Sequence, residues 1–234
     1  TDYTGNTYPG AQAPFGMVQL SPDNGLPGWD RIAGYYYPDS TIAGFSHTHL
    51  SGTGAGDLYD ISFMPVTLPY REAPEPLGIH SRFRHETEKA AAGYYKVTLD
   101  DYGIDVELTA TDRTGLQRYT FPGDEAAVIL NLKKAMNWDS TVGAKISIVD
   151  SVTIEGYRFS DGWARDQKVY FRSRFSKPWK SADFNADSSI ARFNYLTGKG
   201  EKLTVTTALS GVSLEGARLN LQQEAPLDEF DRYR

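Results

Sequence analysis

Tyr95-Lys96-Val97-Thr98-Leu99-Asp100-Asp101-Tyr102-Gly103-Ile104-Asp105-Val106-Glu107-Leu108-Thr109-Ala110 is the run whose periodicity decides the fold. Tyr95, Val97 and Leu99 alternate with Lys96 and Thr98, and Ile104, Val106, Leu108 and Ala110 alternate with Asp105, Glu107 and Thr109. Successive side chains of a strand point to opposite faces, so each half predicts a strand with one face buried. Asp100-Asp101-Tyr102-Gly103 between them predicts a reversal, since Asp suits tight turns and Gly adopts positive φ. Outward from this hairpin, strands are predicted near Leu116–Phe121, Ala127–Leu132, Lys145–Ile154, Lys168–Phe175, Ser189–Leu196 and Lys202–Leu209. Turn signals at Pro122-Gly123-Asp124, Asp161-Gly162 and Thr197-Gly198-Lys199-Gly200 separate most of them. Roughly a dozen strands without an intervening helical period predict an all-β chain, a large antiparallel sandwich. Helical spacing enters only after Ser213, a candidate N-cap, with Leu214, Ala217 and Leu221 on one face and Glu215 in the first turn. A sandwich over residues 1–212 followed by a helical segment over 213–234 is therefore expected. The charged and aromatic end, Leu227 to Arg234, predicts a boundary near a linker.

The composition bounds the function. The 234 residues include 24 Lys+Arg and 30 Asp+Glu, a formal net charge of −6, and 40% are hydrophobic, enough for a packed core. A mildly acidic chain argues against nucleic acid and against a polybasic membrane surface. No apolar run approaches the roughly 18 residues of a membrane span. No basic-then-apolar leader opens the sequence, so any export signal is expected to be gone already. Cysteine is absent, which excludes disulfides, thiol catalysis and Cys-based metal sites.

Ten of the 22 glycines fall between Gly5 and Gly56, which predicts mostly loops with short strands between them. Its densest motif is Gly44-Phe45-Ser46-His47-Thr48-His49-Leu50-Ser51-Gly52-Thr53-Gly54-Ala55-Gly56-Asp57. In a strand His47 and His49 share a face; with Asp57 or Asp60 they could hold a metal, act as acid and base, or simply bond to backbone carbonyls and hydroxyls of neighbouring loops. Gly52, Gly54 and Gly56 do not make a phosphate loop: the spacing is G-x-G-x-G, no G-K-[ST] follows, and Asp57 to Phe63 reads as extended chain. In Ala13-Pro14-Phe15-Gly16-Met17 an exposed ring could stack on a pyranose, but the five residues alone read as a buried Phe in a tight turn; Trp29-Asp30 and Tyr35-Tyr36-Tyr37 supply aromatic faces with polar edges, suited to sugars and equally to a sandwich core and rim. No spacing among the acidic residues singles out a glycosidase carboxylate pair, and there is no G-x-S-x-G elbow. His80 and His85 read as surface or packing histidines.

Taken in order, Pro9-Gly10-Ala11, Pro14-Phe15-Gly16-Met17-Val18-Gln19-Leu20-Ser21-Pro22-Asp23, Gly34-Tyr35 and Gly44 through Gly54 resemble the N-terminal domain of glycoside hydrolase family 92. The resemblance continues through Glu88-Lys89-Ala90, Gly93 to Val97, Glu107 to Thr111, Arg118 to Pro122 and Ser213 to Ala217, nearly the whole chain. Its most specific part is His47-Thr48-His49-Leu50-Ser51-Gly52-Thr53-Gly54; one departure is Ala91-Ala92-Gly93, where the family commonly has Pro before Gly. The resemblance implies a galactose-mutarotase-like β-supersandwich that precedes an (α/α)₆ barrel, with residues 213–234 starting the linker. It implies an exo-acting, inverting, calcium-dependent α-mannosidase acting on mannose-containing glycans in the periplasm, at the cell surface or after secretion. The catalytic acid and base and the calcium are expected in the barrel, so no catalytic and no metal-ligating residue is assigned to this chain. Phe15, Gly16, Trp29, Asp30, His47, His49, Ser51, Gly52 and Asp57 are expected to line or support the substrate pocket. A large apolar patch is expected on the loop-rich pole. A self-sufficient carbohydrate-binding module and a mutarotase or epimerase are the competing functions.

Overall fold

The computed structural model describes residues 7–52, 56–133, 139–226 and 229–234. Thr53, Gly54 and Ala55 of the motif quoted above, with Leu227 and Asp228 of the end segment, lie outside the described residues. The strands in the first half are β1 (Ala11–Gln12), β2 (Gln19–Asp23), β3 (Thr41–Ile42), β4 (Gly44–Ser46), β5 (Ser62–Thr67), β6 (Ser81–Arg82), β7 (Lys89–Ala91), β8 (Tyr94–Leu99) and β9 (Ile104–Ala110). They continue with β10 (Thr114–Thr120), β11 (Asp124–Asn131), β12 (Ser140–Ile148), β13 (Thr153–Asp161), β14 (Gln167–Phe175), β15 (Ser181–Phe184), β16 (Ile190–Thr197) and β17 (Lys202–Ser210). Two helices close the chain, α1 (Leu214–Glu224) and α2 (Phe230–Tyr233).

The predicted hairpin is β8–β9, paired Val97 to Val106 and Leu99 to Ile104, so the inward residues of the two strands face one another. Gly103 closes the turn at φ 63° and donates its N–H to Leu99 O at 2.8 Å. The hairpin sits in an eight-stranded antiparallel sheet, β12-β13-β14-β17-β10-β9-β8-β7; a seven-stranded sheet, β1-β2-β4-β5-β11-β16-β15, packs against it. Aromatic rings from both sheets meet between them: Phe175 of β14 lies 6.3 Å from Phe63 of β5 and 5.1 Å from Phe193 of β16, all fully buried. The chain is a large all-β antiparallel sandwich, as the alternation predicts.

Two readings are corrected. Lys145–Ile154 is not one strand: β12 ends at Ile148, and Val149 N–H donates to Thr153 O while the Asp150 side chain accepts from Val152 N–H, a local turn across which the period-two alternation of the isoleucines and valines continues. Asp57 to Phe63 is not extended throughout: Leu58, Tyr59 and Ile61 have φ of 85°, 64° and 56°, and β5 begins only at Ser62. The outward residues Glu107 and Thr109 are also buried, because α2 returns across β9 and β10. There Asp231 pairs with Arg118 at 2.8 Å and the Arg118 guanidinium, itself bonded to Glu107, covers the Phe230 ring. The Ser213 hydroxyl accepts from Gly216 N–H at 3.0 Å, and Ala217 and Leu221 are the buried face of α1, as their spacing predicts. No helix among the described residues is long and apolar enough to cross a membrane.

Candidate functional site

Strand register places one set of loops at a single end of the sandwich. The end of β11 pairs with the start of β5, which brings the 47–61 loop there. Arg158, near the end of β13, donates to Leu132 O just past β11, so the 161–166 hairpin lies at the same end. Met17 N–H donates to Asp112 O at 2.6 Å, which fixes the turn around Phe15 to the β9–β10 loop at that end.

That turn is Ala13-Pro14-Phe15-Gly16, closed by Gly16 N–H to Ala13 O at 3.0 Å. Pro14 presets the first turn position, and the second has φ 62°, a place where Gly is favoured. Phe15 occupies it, at a backbone cost of about 1–2 kcal/mol, and its ring is fully exposed. An exposed aromatic held in a strained turn is a mark of a functional position. Gly16 is buried beneath it. Trp29 begins a short 3₁₀ turn, Trp29–Arg31, and is 59% exposed, with Asp30 half-buried beside it. Arg31 anchors this turn by a bidentate pair to Asp39 and by covering the Tyr36 ring. The Tyr59 hydroxyl donates to Ile32 O, which ties the Trp29 segment to the 47–61 loop. Ser51 and Gly52 are exposed on that loop.

His47, His49 and Asp57 lie below this surface, each with no more than 3% exposure. His47 Nδ1 is 2.7 Å from Ile61 O, and that carbonyl fixes the proton on Nδ1. Its Nε2 has no partner among the described residues, and burial lowers the pKa to about 4, so the ring is neutral. Gly115 makes room for it: a Cβ there would stand 2.6 Å from His47 Cδ2. His49 Nδ1 meets Gln19 O at 2.7 Å, while Nε2 meets Asp23 Oδ1 at 2.9 Å and Ser46 Oγ at 3.1 Å. Serine and aspartate share one nitrogen, so the three do not form a nucleophile–base–orienter relay, which needs both nitrogens. Both histidines thus bond to backbone carbonyls of neighbouring loops, the plainest of the three readings their spacing left open. Asp57 Oδ2 accepts from Ala164 N–H at 2.7 Å and braces the 161–166 hairpin. Among the described residues no three His, Asp or Glu side chains group as a cation site.

The braced hairpin carries Trp163, 77% exposed, which the sequence reading passed over. Its signal was the Asp161-Gly162 turn with an aromatic directly after it. A second brace is buried: Arg158 pairs with Asp60 at 2.6 Å and with Asp139, while Asp60 also accepts from Thr48 Oγ1 and Gln167. The pole therefore presents exposed rings, Phe15, Trp29 and Trp163, above a rigid polar layer. It can stack on and hydrogen-bond to a hydroxyl-rich ligand.

An all-β antiparallel sandwich hosts many unrelated functions, and comparison with known proteins narrows them. The Glycosyl hydrolase family 92 N-terminal domain matches residues 1–213. The chain belongs to glycosyl hydrolase family 92, as its N-terminal domain. It is similar to the family GH92 alpha-mannosidase BT3965 of Bacteroides thetaiotaomicron in complex with mannoimidazole, at 36% identity and TM-score 0.88, over 96% of this chain and 33% of that one. The inverting mannosidase BT2199 of the same organism is similar at 28% identity and TM-score 0.75, over 95% of this chain and 31% of that one. An uncharacterized secreted glycosidase of Arthroderma benhamiae is 29% identical, over 97% of this chain and 34% of that protein. The chain thus spans about a third of the length of these relatives.

Proposed function

We propose that this chain forms one wall of the substrate pocket of an exo-acting, inverting, calcium-dependent α-mannosidase that hydrolyses terminal α-mannosides of glycans outside the cytosol. Residues 1–212 are the sandwich, and 213–234 begin a linker to an (α/α)₆ barrel that carries the acid and base. The observation that carries this reading is the exposed aromatic pole, with Phe15 held at φ 62° against its backbone preference, in a chain of this family. The name of the fungal relative supports the location.

An inverting reaction needs two carboxyls roughly 6.5–9.5 Å apart with a water between them. This chain's share of the work is different. The rings of Phe15 and Trp29 stack on the apolar faces of the sugar, and the exposed Ser51 hydroxyl offers it a hydrogen bond. His49 and Asp57 hold the loops that carry these contacts. A wall of this kind closes a pocket over a single terminal residue and excludes water, which favours exo action. The described residues do not fit calcium, which takes six to eight oxygen ligands. The calcium site is assigned to the barrel.

Hydrolysis of an aryl α-mannoside tests the division of labour. The 234-residue chain is expected to be silent with calcium and with chelator, and a chain extended past Arg234 active and chelator-sensitive. Turnover by the 234-residue chain alone would overturn the assignment of the acid and base to the barrel.

A further inference from the structure

Helix α1 ends on the wrong charge. Its last turn holds no basic residue, and its final residue is Glu224, whose carboxylate meets the negative end of the helix dipole. A residue that breaks a local rule is held by something outside the element. Here that is the β9–β10 turn, more than a hundred positions back in the chain. Glu224 Oε2 accepts from Thr111 Oγ1 at 2.6 Å and from Arg113 N–H at 2.7 Å, and Oε1 accepts from Arg113 Nε at 2.6 Å. The Glu224 side chain is only 12% exposed. One carboxylate therefore grips both residues that flank Asp112.

The Asp112 backbone carries the turn around Phe15. Its carbonyl accepts from Met17 N–H at 2.6 Å and from Val18 N–H at 3.3 Å. Gly16 lies flat against it: a Cβ there would stand 3.1 Å from Asp112 O and 3.2 Å from Asp112 Cα. Phe15 has φ 62°, which its side chain disfavours, so its turn keeps that shape because its surroundings impose it. Gln19 Nε2 donates to Gly16 O from β2, next to the turn. Asp112 O is the support from the opposite sheet. The far end of the chain of contacts is fixed as well. Ala217 and Leu221 bury one face of α1, Asn220 Nδ2 donates to Leu209 O at 2.7 Å, and Arg174 donates to Ala225 O at 2.9 Å. A continuous set of contacts thus runs from α1 through the β9–β10 turn to Phe15.

We propose that Glu224 is a positioning residue for the aromatic pole: by gripping Thr111 and Arg113 it sets Asp112 O, and Asp112 O holds the strained turn that presents Phe15. Glu224 touches no substrate and acts through Phe15. The inference rests on the reading of the pole as a pocket wall, and it makes the helix that follows the sandwich part of what shapes that wall.

Hydrogen exchange of the 234-residue chain tests the structural link. Glu224→Ala should speed exchange of the Met17 amide about five- to tenfold and leave the amides of β11 and β16 unchanged. Glu224→Gln keeps one acceptor oxygen for Thr111 and the Arg113 amide, so Met17 should stay near its original rate. An ion pair that merely stabilised the fold would lose as much with Gln as with Ala. Activity tests the functional link, in a chain extended past Arg234. Glu224→Ala should lower kcat/KM on an aryl α-mannoside about three- to tenfold. Phe15→Ala should lower it further, and adding Glu224→Ala to Phe15→Ala should change nothing more. Unchanged exchange at Met17, exchange raised equally in both sheets, a Gln variant as damaged as Ala, unchanged kcat/KM in Glu224→Ala, or additive losses in the double variant would each overturn the proposal and leave the wall reading standing. Full kcat/KM in Phe15→Ala would overturn the part of the wall reading that rests on Phe15, and this proposal with it.

Discussion

Arg158→Met is expected to cost the chain about 3–5 kcal/mol of stability. Arg158 is fully buried on β13, and both of its carboxylate partners, Asp60 and Asp139, are buried with it. Its Nε also donates to Leu132 O and Thr141 Oγ1, each at 3.1 Å. Removing the guanidinium leaves two carboxyls without their cation in a site closed to water. Burial already pushes the Asp139 carboxyl upward in pKa even with Arg158 beside it. The loss therefore exceeds the worth of an exposed pair, about 0–1 kcal/mol. Urea denaturation of the two proteins measures it, and a loss below about 1 kcal/mol would mean that water reaches the network. The triple variant Arg158→Met, Asp60→Leu, Asp139→Leu should recover much of the loss, because it removes the stranded charges too. It should not recover the geometry of the 47–61 loop, which Asp60 holds through Thr48.

The second large effect is in acid. His47 is buried neutral with a pKa lowered to about 4, against 6.5 in the unfolded chain. Between those values the unfolded state binds a proton that the folded state does not, so stability rises with pH across the window. Lowering the pH from 6.5 toward 4 should therefore remove up to about 3 kcal/mol through this one residue. Below about 4 both states carry the proton and the contribution levels off. His47→Gln keeps a donor for Ile61 O without the titration, and should flatten this part of the profile. Denaturation at pH 4, 5, 6 and 7 tests it; parallel profiles for the two proteins would show that the ring is not held neutral.

How far the sequence exposed all this depended on range. The β8–β9 hairpin was legible because one face of each strand is buried and the turn is local, so alternation and Gly103 carry the whole signal. The Asp150 turn was not, since Ile146, Ile148, Val152 and Ile154 keep a period of two on either side of Asp150-Ser151 and read as one continuous strand. Trp29 stood out as an aromatic among Gly and Pro and is exposed, whereas the residues around Phe15 read by themselves as a buried ring in a tight turn and the ring is fully exposed; only the family resemblance placed it at the surface of the pocket. The burial of His47 and His49 was invisible, because it depends on Gly115, Gly34 and Gln19, which lie in other elements. Arg158 is 98 positions from Asp60, and Ala164 is 107 from Asp57; no local pattern marks partners at that separation. Tertiary packing, not composition, decides which polar groups brace the pole.

The central claim is that the aromatic pole of this domain is a working wall of a mannoside pocket. The most direct test is Trp29→Ala in a chain extended past Arg234, read as kcat and KM on an aryl α-mannoside. A lost pocket contact predicts a fall in kcat/KM of about 10–200-fold with an unchanged melting temperature, since Trp29 is 59% exposed and buries little in the domain itself. Unchanged kcat/KM with the same fold stability would contradict the claim and leave the pole as ordinary surface.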